Sequence, residues 1–231
     1  KDFLENYPAS NRRPRAILGL GRAHLSAGND RDGVFALEEI LSMYPDSVEA
    51  RLALGELGDY YLARGDDASA LAYYERQLKI TPDGIQQRTL MLTIADLRLI
   101  ELGEPENAQP IFEELAEGSD QIAAHALFGL AASKRALGKL DDAEHAYRQV
   151  TRRFPAHELA SAALDSLTLM NLFLRPDISG ATMALFELDA NQLLSVENET
   201  VRRRERLLEL AKIRINYLKN YEGAIELLTS Y

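Results

Sequence analysis

The chain has 231 residues, 46% of them apolar, with a net charge of −10 and no cysteine. That composition supports a substantial buried core, excludes disulfides and cysteine-ligated metal sites, and argues against nucleic acid, because an acidic surface repels a polyanion. No apolar stretch approaches the roughly 20 residues that span a bilayer.

Lys1 to Pro8 reads as the end of a helix, because Phe3 and Tyr7-Pro8 fall 37 residues before Ile40 and Tyr44-Pro45. After it, Gly28, Gly65, Gly103 and Gly138 recur at intervals of 37, 38 and 35 residues. Each follows an apolar helical run, and each is followed five residues later by a small residue, Gly33, Ala70, Ala108 or Ala143, that opens another. A period in the thirties with helical spacing inside it predicts an all-α fold, an α-solenoid of antiparallel helix pairs. The turn glycines are expected in the left-handed conformation that closes a helix. Asp66, Glu104 and Asp141 stand just beyond them, where free amides and the helix dipole favour acids. Gly21, Gly58 and Ala131 in the first helices are expected to face Ala70, Ala108 and Ala143 in the second, letting the pairs approach closely.

Beyond Phe154-Pro155 the pattern changes. His157 to Leu174 predicts a long helix anchored by Leu164, Leu167, Leu169 and Phe173; Arg175-Pro176-Asp177 breaks it, and Asp177 caps a further helix from Ile178 to Leu194. Leu207, Leu208, Ala211 and Ile215 then mark a first helix and Tyr221, Ala224 and Leu228 a second, with Lys219 where the turn glycine belongs. The only basic cluster, Arg202-Arg203-Arg204 with Arg206, Lys212 and Arg214, has Glu199, Glu205 and Glu209 among it and reads as a solvated, ion-paired face.

Nothing points to catalysis or a cofactor. His24, His125, His145 and His157 form no His-Glu-x-x-His pattern, and Gly19 and Gly21 lie inside one predicted helix without a preceding strand. Asp66-Asp67 and Asp141-Asp142 are explained by their place at helix starts.

The repeated strings carry a family resemblance. The second unit reads Leu54, Leu57-Gly58, Tyr61, Gly65, Ala70, Tyr74, Pro82; the fourth reads Leu127, Leu130-Ala131, Gly138, Ala143, Tyr147, Pro155; the third, Leu92, Ala95, Leu99, Gly103, Ala108, Phe112, is weaker, with Asp120 in place of the closing proline. This resembles the tetratricopeptide repeat family, which implies a right-handed superhelix. Residues 1–13 then end a preceding repeat, 14–156 form four regular repeats, 157–197 a divergent one and 198–231 a final truncated one, all in one solenoid cut from a longer repeat protein.

The resemblance also implies a non-catalytic scaffold that binds a peptide or partner helix on the concave face lined by the first helices. Carried over unit by unit, the lining is Arg15, Leu18, Arg22 and Leu25; then Leu52, Asp59 and Leu62; then Leu90, Thr93 and Leu97; then His125, Phe128 and Arg135. Aromatic-Pro closures such as Tyr7-Pro8, Tyr44-Pro45 and Phe154-Pro155 resemble those of bacterial envelope repeat proteins, pointing to the periplasm or cell envelope first and the cytoplasm second. Two other roles fit the pattern: a structural spacer within a larger protein, and a homo-oligomer whose repeat ends stack head to tail. The expected partner is a protein or peptide, with no metal or cofactor.

Overall fold

The computed structural model describes residues 4, 6, 7, 9–174, 187, 188, 190–192, 194, 195, 200–216 and 218–229, the side chains of 171–173 and 200–202 aside. Among them there are helices and no strands. In chain order these are α1 (Arg13–Ser26), α2 (Asp30–Met43), α3 (Val48–Leu62), α4 (Asp67–Lys79), α5 (Ile85–Asp96), α6 (Pro105–Leu115), α7 (Gln121–Ala136), α8 (Leu140–Arg153), α9 (Glu158–Phe173), α10 (Thr200–Asn216) and α11 (Tyr221–Thr229). The chain divides into two compact units, Lys1–Glu104 with α1 to α5 and Pro105–Tyr231 with α6 to α11.

In the first unit α1 packs on α2 and α3 on α4, and each second helix packs on the first helix that follows it. Apolar residues at helical spacing make the core: Ile17 and Leu18 from α1, Ala36, Leu37 and Ile40 from α2, and Ala50, Ala53 and Leu57 from α3, with Leu4 packed against them. The second unit repeats the arrangement with α7 on α8 and α10 on α11. Its core includes Phe112, Leu127, Tyr147, Val150, Leu164, Leu167 and Met170. Of the anchors expected on α9, Leu164 and Leu167 are buried, whereas Leu169 is exposed and Met170, one residue on, takes the inward position. The expected break at 175–177, most of the helix over 178–194, and the side chains of Phe3 and Phe173 lie outside the described residues.

Side-chain caps start several helices, through Ser47 to the Ala50 N–H (3.0 Å), Asp66 to Ser69 (3.1 Å) and Asp120 to Ala123 (2.9 Å). Asp120, in place of a closing proline, is thus the N-cap of α7. At the turns, Gly28, Gly65, Gly103 and Gly138 have φ of 76°, 71°, 64° and 73°, and the N–H groups of Asn29, Asp66 and Lys139 reach back to the carbonyls of His24, Tyr61 and Lys134.

Among the first helices, α5 differs from α3 and α7. From N-cap to turn glycine, 18 residues separate Ser47 from Gly65 and Asp120 from Gly138, but 19 separate Gly84 from Gly103. The extra residue is absorbed in a π-turn, Leu97–Glu101, that continues α5, and the closing bond there runs one residue further, from the Glu104 N–H to the Arg98 carbonyl (2.7 Å).

The glycine holes in the helix pairs are filled by large side chains of the second helices. A Cβ on Gly58 would lie 2.4 Å from Cε1 of Tyr74, and one on Gly21 2.8 Å from Cδ2 of Leu37. The first-helix glycines thus receive a large knob 16 residues on, and Gly21 also approaches the small residue equivalent to Ala70, a Cβ there lying 3.3 Å from the Gly33 carbonyl oxygen. Small meets large because a hole needs a knob to fill it at close-packed density.

Lys219, at the turn between α10 and α11, has φ of 54° and is the only non-glycine with positive φ among the described residues. A side chain in that region costs about 1–2 kcal/mol, partly offset by the smaller backbone entropy lost relative to glycine. Lys219→Gly is therefore expected to stabilise the chain by about 0.5–1 kcal/mol, read as a higher urea midpoint; a lower midpoint would show that Lys219 supplies more than a turn.

Candidate functional site

Within the first unit, the first helices α1, α3 and α5 carry ten of the positions expected to line a binding surface, and the structure separates them into two groups. Arg15, Arg22, Leu52, Asp59 and Leu62 are exposed, and Leu25 and Thr93 half-buried. Arg22 is held across to α3 by Glu56, its Nε donating to Oε1 at 2.8 Å. Asp59 accepts from the Tyr74 hydroxyl at 2.6 Å. Leu25 packs its Cδ2 over Gly33. Leu18, Leu90 and Leu97 are only 4%, 9% and 3% exposed. They are core residues and leave the expected lining.

The π-turn explains two of these three. Counting back from Gly103 places the lining of α5 at Leu90, Thr93 and Leu97. Counted instead from the N-caps Ser47 and Gly84, Leu52 corresponds to Thr89, and the buried Ala53 corresponds to Leu90. The residues α5 presents beside Leu52 are accordingly Ile85 and Thr89, both exposed. The 38-residue interval from Gly65 to Gly103 is the sequence signal that marks this shift. Leu52, Ile85, Thr89 and Leu90 together line an open cleft of about 340 Å³, with Arg51, Gln77, Thr81 and Gln86 around it.

In the second unit, α7 carries His125, Phe128 and Arg135. Phe128 is half-buried, edge-on to Tyr147 with ring centroids 5.4 Å apart, and Arg135 is exposed. His125 meets His157 edge to face at 5.1 Å. Nδ1 of His125 lies 3.1 Å from the Gln121 carbonyl, and Nδ1 of His157 accepts from the Leu159 N–H at 3.2 Å, capping α9.

That cap requires a neutral His157. Burial, then the neighbouring His125, lowers its pKa from 6.5, against a smaller opposing effect of Glu158. As pH falls, the unfolded chain takes up the proton first, so the cap's contribution is complete above about pH 6.5 and is lost as pH falls toward the folded-state pKa. A capping bond is worth about 1 kcal/mol. Stability is expected to drop more between pH 7.5 and 5 in the parent chain than in His157→Asn, which caps without titrating; equal drops would remove His157 from the pH dependence.

The basic cluster on α10 is not simply a solvated face. Arg206 is 5% exposed. Its guanidinium donates to Asp165 Oδ1 (2.7 Å) and to the Ser161 carbonyl (2.8 Å) on α9, to the Ser161 hydroxyl, and to Glu209 Oε2 (2.5 Å) on its own helix. Burial alone would lower the Arg206 pKa, but the bonds and charges of Asp165 and Glu209 outweigh it and the net direction is upward. Glu209 also moves upward, because burial outweighs the help of an arginine it shares with Asp165. Among the described residues no group of three or more His, Asp or Glu side chains is placed to hold a metal ion.

Antiparallel helix pairs in succession, with their candidate site spread over helix faces, define a helical-repeat protein. The tetratricopeptide repeat profile matches residues 18–85, and a second profile of the same repeat matches 53–127 and 100–184. The chain belongs to the tetratricopeptide repeat family. A comparison with curated protein sequences finds no match. Among solved structures, the chain is similar to PilW, described as a widely conserved type IV pilus biogenesis factor, at 17% identity and a TM-score of 0.52, over 96% of this chain and 93% of that one. It is also similar to a tetratricopeptide repeat protein from Parabacteroides merdae ATCC 43184, at 15% identity and a TM-score of 0.53, over 98% and 87%. Tetratricopeptide repeats generally mediate protein–protein interaction and are generally non-catalytic scaffolds.

Proposed function

We propose that the chain is a protein-binding scaffold that takes a partner peptide or helix along the first helices α1, α3 and α5, within an envelope assembly or secretion system. The observation that carries the reading is apolar exposure on that face: Leu52, Leu62, Ile85 and Ile100 are 41%, 37%, 63% and 68% exposed. Spaced apolar anchors are what a groove offers an amphipathic helix or extended peptide. The fold likeness to PilW, itself named as a pilus biogenesis factor, supports the envelope context.

The test is photo-crosslinking in the native organism from a reactive residue placed at position 52 or 62, with Phe35 on α2, which is also exposed, as the control position. A protein captured from 52 and 62, absent from 35, and lost from a folded Leu52→Asp, Leu62→Asp chain is the expected result. Capture from all three positions alike, or capture that survives the double substitution, would reject this face.

A further inference from the structure

We propose that the cleft between α3 and α5 selects a partner segment in which an apolar side chain is followed by an acidic one, whose carboxylate pairs with Arg51; this rests on the groove reading above and names the chemistry it takes. The walls supplied by Leu52, Ile85 and Leu90 are apolar, and Arg51 is the only charged residue lining the cleft. The hydroxyls of Thr81 and Thr89 are already engaged, donating to the carbonyls of Gln77 (2.7 Å) and Ile85 (2.8 Å), so these residues add methyl surface.

Among the described residues Arg51 shares the lack of an ion pair with Arg12, Arg15 and Arg31 of its unit, but those three are exposed, whereas Arg51 is half-buried and lines the cleft. Arg22, Arg64 and Arg98 each pair with a carboxylate. Arg51, a half-buried residue, has no hydrogen bond or ion pair from its guanidinium among the described residues, in a chain with 36 acidic and 26 basic side chains. A carboxylate in the cleft would give Arg51 two charge-assisted hydrogen bonds in the fork geometry that arginine offers. The carboxamides of Gln77 and Gln86 supply both donors and acceptors, which suits the main chain of an extended segment. Because the cleft is open to solvent, a chain can run across it, and the carboxylate is assigned to an Asp or Glu side chain within the segment.

The experiment uses the full chain and an array of terminally blocked hexapeptides in which one position is Leu, Ile or Phe and the next Asp, Glu, Asn or Lys. A parallel set ends in a free carboxylate directly after the apolar residue. Wild type, Arg51→Gln and Leu52→Asp are compared, with circular dichroism confirming the fold of each. The expected result is binding of the apolar-acid peptides, weaker by about tenfold or more when Asp becomes Asn or Arg51 becomes Gln, and lost in Leu52→Asp. Equal binding of Asp and Asn peptides, unaffected by Arg51→Gln but lost in Leu52→Asp, overturns the acidic preference and leaves the groove reading standing. Binding that Leu52→Asp does not change, or binding of no peptide, overturns both. Preference for the free-carboxylate set overturns the assignment to a side chain. Sedimentation as a dimer that Leu52→Asp dissociates assigns the cleft to a second copy and overturns the proposal.

Discussion

Replacing Arg206 by alanine is expected to cost about 2–3 kcal/mol of stability. The guanidinium is nearly inaccessible and ties α10 to α9 through Asp165 and Ser161. Removing one member of a buried charged group typically costs about 3–5 kcal/mol, because its partners are left unpaired. Here the partners have an escape. The Asp165 side chain is 49% exposed and that of Glu209 36%, so both regain water once the arginine is gone, and the expected loss falls below that range. Arg206→Lys is expected to recover little, since an ammonium cannot present a planar fork to Asp165, Glu209 and the Ser161 carbonyl at once. Arg206→Met separates the two contributions, keeping the apolar stem against the helices while removing the bonds. The check is urea unfolding followed by circular dichroism. An Arg206→Ala chain within about 0.5 kcal/mol of the parent, the range of an ordinary surface substitution, would mean that the α9–α10 contact does not depend on this side chain.

The repeat was legible because its punctuation is chemical. A left-handed turn needs a residue without Cβ, so Gly28, Gly65, Gly103 and Gly138 announced the helix ends, and even the exception was visible, since Lys219 adopts the same conformation without being glycine. Burial at Leu57, Ala70 and Tyr147 followed from helical spacing alone. Three-dimensional complementarity was not legible. That Gly58 opposes Tyr74 and Gly21 opposes Leu37 depends on which ridge enters which groove, and a list of small residues does not encode that choice. The candidate site was legible in its helices and less so in its residues. A count made from one end of α5 passes through the π-turn and lands on Leu90 and Leu97, which are buried, instead of Thr89 and Asp96. Arg206 escaped for a related reason. Charge patterning along one helix places its partners at Glu209 and the neighbouring acids, whereas burial comes from α9, 41 residues earlier at Asp165.

Gly58→Leu is expected to cost about 1–3 kcal/mol, the range of an overpacked core, and Tyr74 sets where in that range it falls. The Tyr74 ring has little room to yield. It is 4% exposed, lies where a Cβ on residue 58 would come within 2.4 Å, and is anchored by its hydroxyl to Asp59. Burial first, and then that bond, raises the Tyr74 pKa, so the phenol stays protonated and the bond holds across ordinary pH. The same register positions in α7 and α8 hold Ala131 and Tyr147, both buried, so a helix pair of this kind accommodates one methyl with a small shift of the ring. Gly58→Ala is expected to lose less than Gly58→Leu, its crowding against the ring only partly offset by the better helix propensity of alanine, about 1 kcal/mol. Leucine adds a branched side chain that no ring shift of that size accommodates, and it must wedge α3 from α4. Shortening the knob is expected to relieve the wedge: Gly58→Leu with Tyr74→Leu should be more stable than the two separate losses would give, because contacting residues couple by about 0.5–3 kcal/mol. Additive losses would place the clash elsewhere than at Tyr74. An unchanged melting temperature for Gly58→Leu alone would mean that this glycine does not face a filled hole, and with it would fall the 16-residue register that pairs each first helix with its second.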